Sequence, residues 1–347
     1  MHRDFAFIQT APGRIFVGWG PFDHLPLRKP DRPAFFITDF FLGDPHPWRH
    51  PATWEELSID EFAERFPAAD MPSISWQPLT IDEFAPLFDS AKAAIDRGDF
   101  KKIVPVIFET GRTDRTIPWS FLIRRLSTAP SHMSSYGFAY QHHALIGVTP
   151  EMLFATDGRG YQTMALAGTR PLDRAQELLR DPKELREHRM VVEDIVRRVA
   201  PFGNVEVEPL RVVELPSIAH LATPIRFEEM GSDRMSFGDI VRRLHPTAAL
   251  GVWPRTEAGE RWLREADRVV KRRTFGAPFG LERPDRRGRA LVAIRNLQWH
   301  GDTVRVGSGA GVIDESRLER EFDELREKRE SVKELFAVRG LPFAVAR

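Results

Sequence analysis

Residues 307–330 read GSGAGVIDESRLEREFDELREKRE, a glycine-rich bend that runs straight into an acid-crowded helix. At about 100° per residue, Leu318, Phe322, Leu325 and Val332 fall in one apolar stripe. Glu321 and Lys328 lie on its shoulder about two turns apart, with Glu324 slightly further round. Glu319, Asp323, Glu327 and Glu330 point away, with Arg320 on the same outer side. Such a run is ordinarily a solvated face with internal ion pairs. Glu321 is the exception, because a shoulder carboxylate can be drawn beneath the edge of the core.

A second helix begins RDPKELREHRMVVEDIVRRVA at residues 180–200. Asp181 suits the N-cap, Pro182 the first helical position, and Glu184 completes a capping pattern. Leu185, Val192, Ile195, Val196 and Val199 make its apolar stripe. His188 sits inside that stripe as a satisfied, half-buried histidine, Glu184 near its edge, and Glu187 further out on the flank. Glu187 and Glu321, if their helices meet, would form a hard oxygen site for Mg²⁺, which usually takes one or two protein carboxylates and fills its octahedron with water and substrate oxygens.

The rest of the chain bounds the chemistry. Its 347 residues are 42% hydrophobic and 29% charged, enough for a sizeable core. Fifty basic residues balance fifty acidic ones, so nothing gives bulk attraction to nucleic acid or an anionic membrane, and neither is expected as a partner. The absence of cysteine excludes disulfides, thiolate metal sites and a cysteine nucleophile. No apolar leader or run of about 18 apolar residues is seen, so a cytoplasmic location is expected.

Residues 1–75 are rich in proline and aromatics and read as short strands with irregular loops. Helices are expected over 80–98, 118–127, 182–200, 236–244, 257–270 and 316–338. Strands are expected over 101–110, 136–140, 143–148, 289–299 and 303–307. The mixture lacks a strict βαβ rhythm and favours an α+β layered fold in a single domain spanning 1–347.

Nine segments together resemble one family. They are KKIVPV (101–106), IGVTPEMLF (146–154), LAGTRP (166–171), DPKELREHRMVVEDI (181–195), AHLATPI (219–225), LHPTAALGVWPR (244–255), FGAPFG (275–280), LVAIRNL (291–297) and VGSGAGVIDESRLEREFDELREK (306–328). In this order they resemble the chorismate-utilising enzymes: isochorismate, salicylate, anthranilate and aminodeoxychorismate synthases. The likeness covers residues 80–338, the catalytic core, and leaves 1–75 as a divergent N-terminal part.

The resemblance implies an aminodeoxychorismate synthase-like fold, with two large antiparallel sheets and helices packed outside. It implies chorismate as substrate and Mg²⁺ as cofactor. It places Glu187 and Glu321 on the metal, with Glu184 and Glu324 beside them. Arg295 and Lys328 fall at substrate carboxylates, the arginine fork matching a carboxylate in two bonds. Gly168, Thr169, Ala249, Leu250, Gly309 and Ala310 would line the pocket, the glycines letting backbone N–H groups approach a carboxylate. His220 would stand beside the metal-bound carboxylate.

Glu151 matches the family's general acid, a role that burial supports by raising a carboxyl towards neutrality. Water-adding members carry a lysine where Lys102 stands, and ammonia-adding anthranilate synthases a glutamine. A lysine serves as base near neutral pH only where desolvation or a cationic neighbour disfavours its charge. Lys101 would point to the opposite, exposed face. The nucleophilic lysine of aminodeoxychorismate synthases is Ala167 here. With no cysteine, an ammonia-adding enzyme would need a separate glutamine amidotransferase subunit or free ammonia.

Two residues depart from the pattern. IVPVIFET lacks the arginine usual after the lysine, and a tyrosine common before the GGP-like turn is Phe275. The expectation is isochorismate synthase. Salicylate synthase, an ammonia-adding component I and an inactive chorismate-binding relative stay open.

Overall fold

The computed structural model describes residues 4–140, 143–215, 217–228, 235–338 and 340. Its strands are β1 (Phe5–Ala11), β2 (Arg14–Leu25), β3 (Ala34–Ile37), β4 (Trp48–Ser58), β5 (Ile74–Gln77), β6 (Lys102–Ile103), β7 (Val106–Thr113), β8 (Ser134–Tyr140), β9 (His143–Thr149), β10 (Met152–Thr156), β11 (Tyr161–Pro171), β12 (Val205–Val207), β13 (Arg211–Glu214), β14 (Ile218–Phe227), β15 (Val252–Trp253), β16 (Pro278–Glu282), β17 (Gly288–Val292), β18 (Asn296–His300) and β19 (Thr303–Gly309). Its helices are α1 (Ile59–Ala63), α2 (Ile81–Asp96), α3 (Trp119–Arg125), α4 (Pro182–Val199), α5 (Phe237–Leu244), α6 (Glu257–Val270) and α7 (Leu318–Leu335).

Seventeen strands form one antiparallel hydrogen-bonded network, and β6 pairs with β15 in a small second ladder. One half runs β5–β7–β19–β18–β9–β8–β1–β2. The other runs β4–β3–β16–β17–β10–β11–β14, and β2 pairs with β4 to join them. The halves pack face to face: Tyr136 of β8 lies 5.2 Å, ring to ring, from Phe279 of β16. The two expected sheets are thus two halves of one ladder. The N-terminal strands are built into it, β1 against β8 and β3 against β16.

Two expected strands are broken, both at the site. The 101–110 segment divides at Pro105, which has no N–H for a ladder: Lys102 stays with β6, and β7 joins β19. The 289–299 segment is not one strand. β17 ends at Val292 in one half of the network and β18 begins at Asn296 in the other, and between them Arg295 adopts φ 54°. A left-handed arginine is uncommon, and here it turns the chain from one half of the ladder to the other.

Helix α7 carries more buried charge than its pattern suggested. Arg329 and Lys333 are 2% and 5% exposed and both reach Glu109 of β7, at 3.3 and 2.6 Å. Removing one partner of a buried ion pair leaves the others uncompensated. Glu109→Ala is therefore expected to lower unfolding stability by about 3–5 kcal/mol, measured by denaturant unfolding. Among the described residues no helix is long and apolar enough to cross a membrane.

Candidate active site

Helices α4 and α7 do meet, and they bring three carboxylates together around one ammonium. Asp181 caps α4 by accepting from the Lys183 and Glu184 N–H groups, which orients the first turn. Lys183 Nζ then lies 3.5 Å from Glu184 Oε1, 3.3 Å from Glu187 Oε2 and 3.0 Å from Glu321 Oε1. Glu184, Glu187 and Glu321 are all buried. Burial opposes the charge of Lys183, yet Glu187 and Glu321 hold its titration well above the usual lysine range.

Glu184 does not close the capping pattern expected of it. Its Oε2 accepts from Thr169 N–H at 2.9 Å, and its Oε1 meets Arg320 at 2.7 Å and Arg170 at 3.4 Å. The reason is its complete burial against the β11 turn, where a carboxylate must find donors. Arg320, expected on the outer side of α7, bends back to serve it.

Glu321 is fully buried, and its Oε2 has no hydrogen-bond partner. Burial pushes its carboxyl up to about 7 against the pull of Lys183. Burial also opposes ionisation of Glu324, but Lys328 and Lys183 hold it down at about 2. Glu187 likewise stays below the usual range: burial opposes its charge, and Lys102 and Lys183 outweigh burial.

Among the described residues no three His, Asp or Glu side chains form a ready-made metal cage. The side chains close on Lys183 instead. Converging hard oxygens, one of them buried without a partner, still fit a divalent cation in place of that ammonium.

Beside this cluster lies a cavity of about 60 Å³. Its walls include Glu151, Gly168, Thr169, Glu187, Ala249, Leu250, Arg295, Gly309, Glu324 and Lys328. His220 is buried there. Its Nδ1 lies 3.0 Å from Gly168 O and 3.1 Å from Thr169 Oγ1, and its Nε2 lies 3.0 Å from the Arg295 guanidinium. Arginine has no acceptor, so Nε2 carries the lone pair, Nδ1 carries the proton, and the ring is neutral. Burial and Arg295 accordingly hold His220 well below the usual histidine range. Arg295 Nε has no partner, and burial lowers the guanidinium to about 10. Lys328 donates to Gly309 O at 2.8 Å and pairs with Glu324.

Glu151 is 4% exposed. Burial pushes it to about 7, although Lys102, Lys328 and Arg295 all pull it down. Lys102 is wholly buried behind the cavity wall. Its Nζ donates to Ala248 O at 2.7 Å and lies 3.2 Å from Glu187 Oε1. Burial was expected there; the neighbour proves anionic rather than cationic. Lys101 is exposed, with its ammonium 5.6 Å from the Trp253 ring.

The other residues sort as follows. Ala310 is not in the wall: its N–H donates to Pro105 O at 3.3 Å and its side chain packs in the core. Phe275 lines the cavity, edge-on to Phe108. Ala167 places no amine there. His188 is more buried than expected, bonds Thr223 Oγ1 at 2.8 Å, and is held by burial at about 4.

Lys183 was missed by sequence reasoning. Its place one residue before Glu184 and four before Glu187 was visible, but only the packing of α7 gives it a third carboxylate. Gly311 carries a sharp constraint: a Cβ there would fall 2.0 Å from Glu187 Oε1 and 2.8 Å from Lys102 Cε. Gly311→Ala should therefore displace both groups, cost about 1–3 kcal/mol in thermal unfolding and abolish measurable turnover.

Comparison with known proteins adds an independent line. A family model described as chorismate binding enzyme matches residues 51–336. Anthranilate synthase component 1 of Methanothermobacter marburgensis is 29% identical over 219 residues, 59% of this chain and 46% of that protein. Isochorismate synthase MenF of Haemophilus influenzae is 32% identical over 210 residues, 56% of this chain and 46% of that protein. The chain thus spans about half the length of these relatives in their alignments. The solved structure of a Bacillus anthracis protein described as a 2,3-dihydroxybenzoate-specific isochorismate synthase matches with TM-score 0.81 at 22% identity, over 96% of both chains. Escherichia coli MenF, the menaquinone-specific isochorismate synthase, matches with TM-score 0.76 at 19% identity, over 97% of this chain and 89% of that one. At such identities the likeness is one of fold.

Proposed function

Because this chain belongs to the chorismate-binding enzymes, we propose that it is an Mg²⁺-dependent isochorismate synthase acting on chorismate. The observation that carries the reading is a wholly buried amine, Lys102, packed behind the wall of the cavity that Glu151 lines, with the Glu151 carboxyl pushed by burial to about 7. The relatives bear both isochorismate and anthranilate synthase names, so the choice rests on residues. Lysine at 102 favours water over ammonia, and alanine at 167 disfavours the aminodeoxychorismate route.

Lys102 takes a proton from water as its oxygen bonds to C2 of the ring. Both ring double bonds shift by one position, the C4–O bond breaks, and Glu151 gives its proton to the departing hydroxyl, which leaves as water. One water enters and one leaves, so the change is an isomerisation. Lys102 then returns its proton to solvent and Glu151 regains one. Arg295, with a free Nε and a neutral His220 bracing its fork, and Lys328 clamp the enolpyruvyl carboxylate. Glu187 and Glu321, with Glu184 and Glu324 beside them, would hold Mg²⁺, which offsets the charge of the ring carboxylate when bound.

A general acid must be protonated. With Glu151 at about 7 the active form prevails below that pH, so kcat should fall as pH rises through it. Glu151→Gln should lower kcat by about 10²–10⁴-fold and remove that limb from the initial-rate pH profile. The reaction itself is tested by incubating the protein with chorismate and Mg²⁺ and separating products by chromatography. Isochorismate is expected. Released pyruvate would make it a salicylate synthase, dependence on ammonia an aminating enzyme, and tight binding without product a non-catalytic relative.

A further inference from the structure

We propose that a second cavity, apart from the carboxylate cluster, is a binding site for a small aromatic anion. It measures about 770 Å³, within the range of small-molecule sites and far larger than the 60 Å³ at the carboxylates. It shares no lining residue with that cavity. The proposal does not depend on the isochorismate reading.

Aromatic rings make its walls. Phe22, Phe138, Tyr140 and Trp299 all line it, and all are only half-buried, although rings of this kind gain most from full burial. In the same wall Thr38 is 4% exposed, and its Oγ1 has no partner. A buried hydroxyl without a partner costs free energy, and a ligand in the cavity would supply one.

The charge at the mouth is positive and uncommitted. Lys271 and Arg273 line the cavity, and no carboxylate among the described residues pairs with either. The local acids are already used: Asp44 pairs with Arg49, and Asp39 accepts from the N–H groups of Phe41 and Gly43. Arg305 adds a third cation, hydrogen-bonded to the carbonyls of Val270 and Lys271 and stacked on the Phe108 ring, with no carboxylate among the described residues in an ion pair with it.

The backbone explains how both cations reach one cavity. Arg272, between them, is drawn inward to Asp267 and over the Phe40 ring. Its neighbours then face outward with φ 52° at Lys271 and 50° at Arg273. The first is an ordinary left-handed helix cap. The second is strain that no cap explains, and such strain gathers at ligand sites.

The test uses 1-anilinonaphthalene-8-sulfonate as probe, with the uncharged N-phenyl-1-naphthylamine beside it, in fluorescence titrations of the full chain. One saturable site is expected, with the sulfonate bound about 5-fold or more tightly than the neutral dye. Lys271→Gly and Arg273→Gly suit left-handed positions, so they remove charge without harming the fold. Each should weaken sulfonate binding about 2- to 5-fold. Thr110→Trp, which fills the cavity from β7, should abolish it. Arg295→Ala, in the other cavity, should leave it unchanged. Absence of saturation, equal affinity for the neutral dye, indifference to the Lys271→Gly/Arg273→Gly double variant, or loss of binding in Arg295→Ala would each overturn the proposal.

Discussion

Lys102→Ala is expected to cut kcat for water addition to chorismate by about 10³-fold, the scale of a lost general base, while KM moves little. Lys102 touches Ala248 O and Glu187 and lies behind the cavity wall rather than in it. Its removal therefore spares the groups assigned to the substrate carboxylates, Arg295 and Lys328. Initial rates against chorismate concentration separate the two parameters. A large rise in KM with kcat preserved would show that Lys102 serves binding and not proton transfer.

Glu321→Gln should have two opposite effects. The neutral amide removes a carboxylate from the proposed metal site. Losing a direct ligand should cost at least what losing an outer-shell partner costs, about 10–100-fold in affinity, read by calorimetric titration with Mg²⁺. The metal-free protein should nevertheless become more stable at pH 8. Glu321 is raised from 4.5 to about 7 by burial. The stability tied to its protonated form is complete below the unfolded value and is lost as pH rises through the folded one. Glutamine cannot ionise, so the variant should melt several degrees above the metal-free wild type at pH 8 and level with it near pH 4. For the same reason Mg²⁺ should raise the wild-type melting temperature at pH 8 and hardly at all at pH 5, since binding must release protons. Equal Mg²⁺ affinity in Glu321→Gln would remove Glu321 from the metal.

What the sequence carried and what it hid divide along a physical line. Helices α4 and α7 were legible because capping residues and a 3.6-residue apolar period are local signals. Motif order then placed Glu187 and Glu321, and the structure brings both to the same ammonium. The break at Arg295 was hidden. LVAIRNL is apolar enough to read as one strand, and only the need to pass from one half of the ladder to the other forces its left-handed turn. Lys183 and the Glu109–Arg329–Lys333 group were hidden for a related reason. Each looks like surface charge on its own helix, and only the element packed against it supplies the partner. Glu184 was misread because capping is the local explanation, whereas burial gave it three donors from other elements, Thr169, Arg170 and Arg320.

Oxygen isotope transfer reports most directly on the chemistry proposed for Lys102 and Glu151. With unlabelled chorismate and Mg²⁺ in ¹⁸O water, early product analysed by mass spectrometry should be isochorismate with one heavy oxygen, located on C2. Product without the label, label left only on C4, or no isochorismate whether or not ammonia is supplied would contradict water addition by this protein.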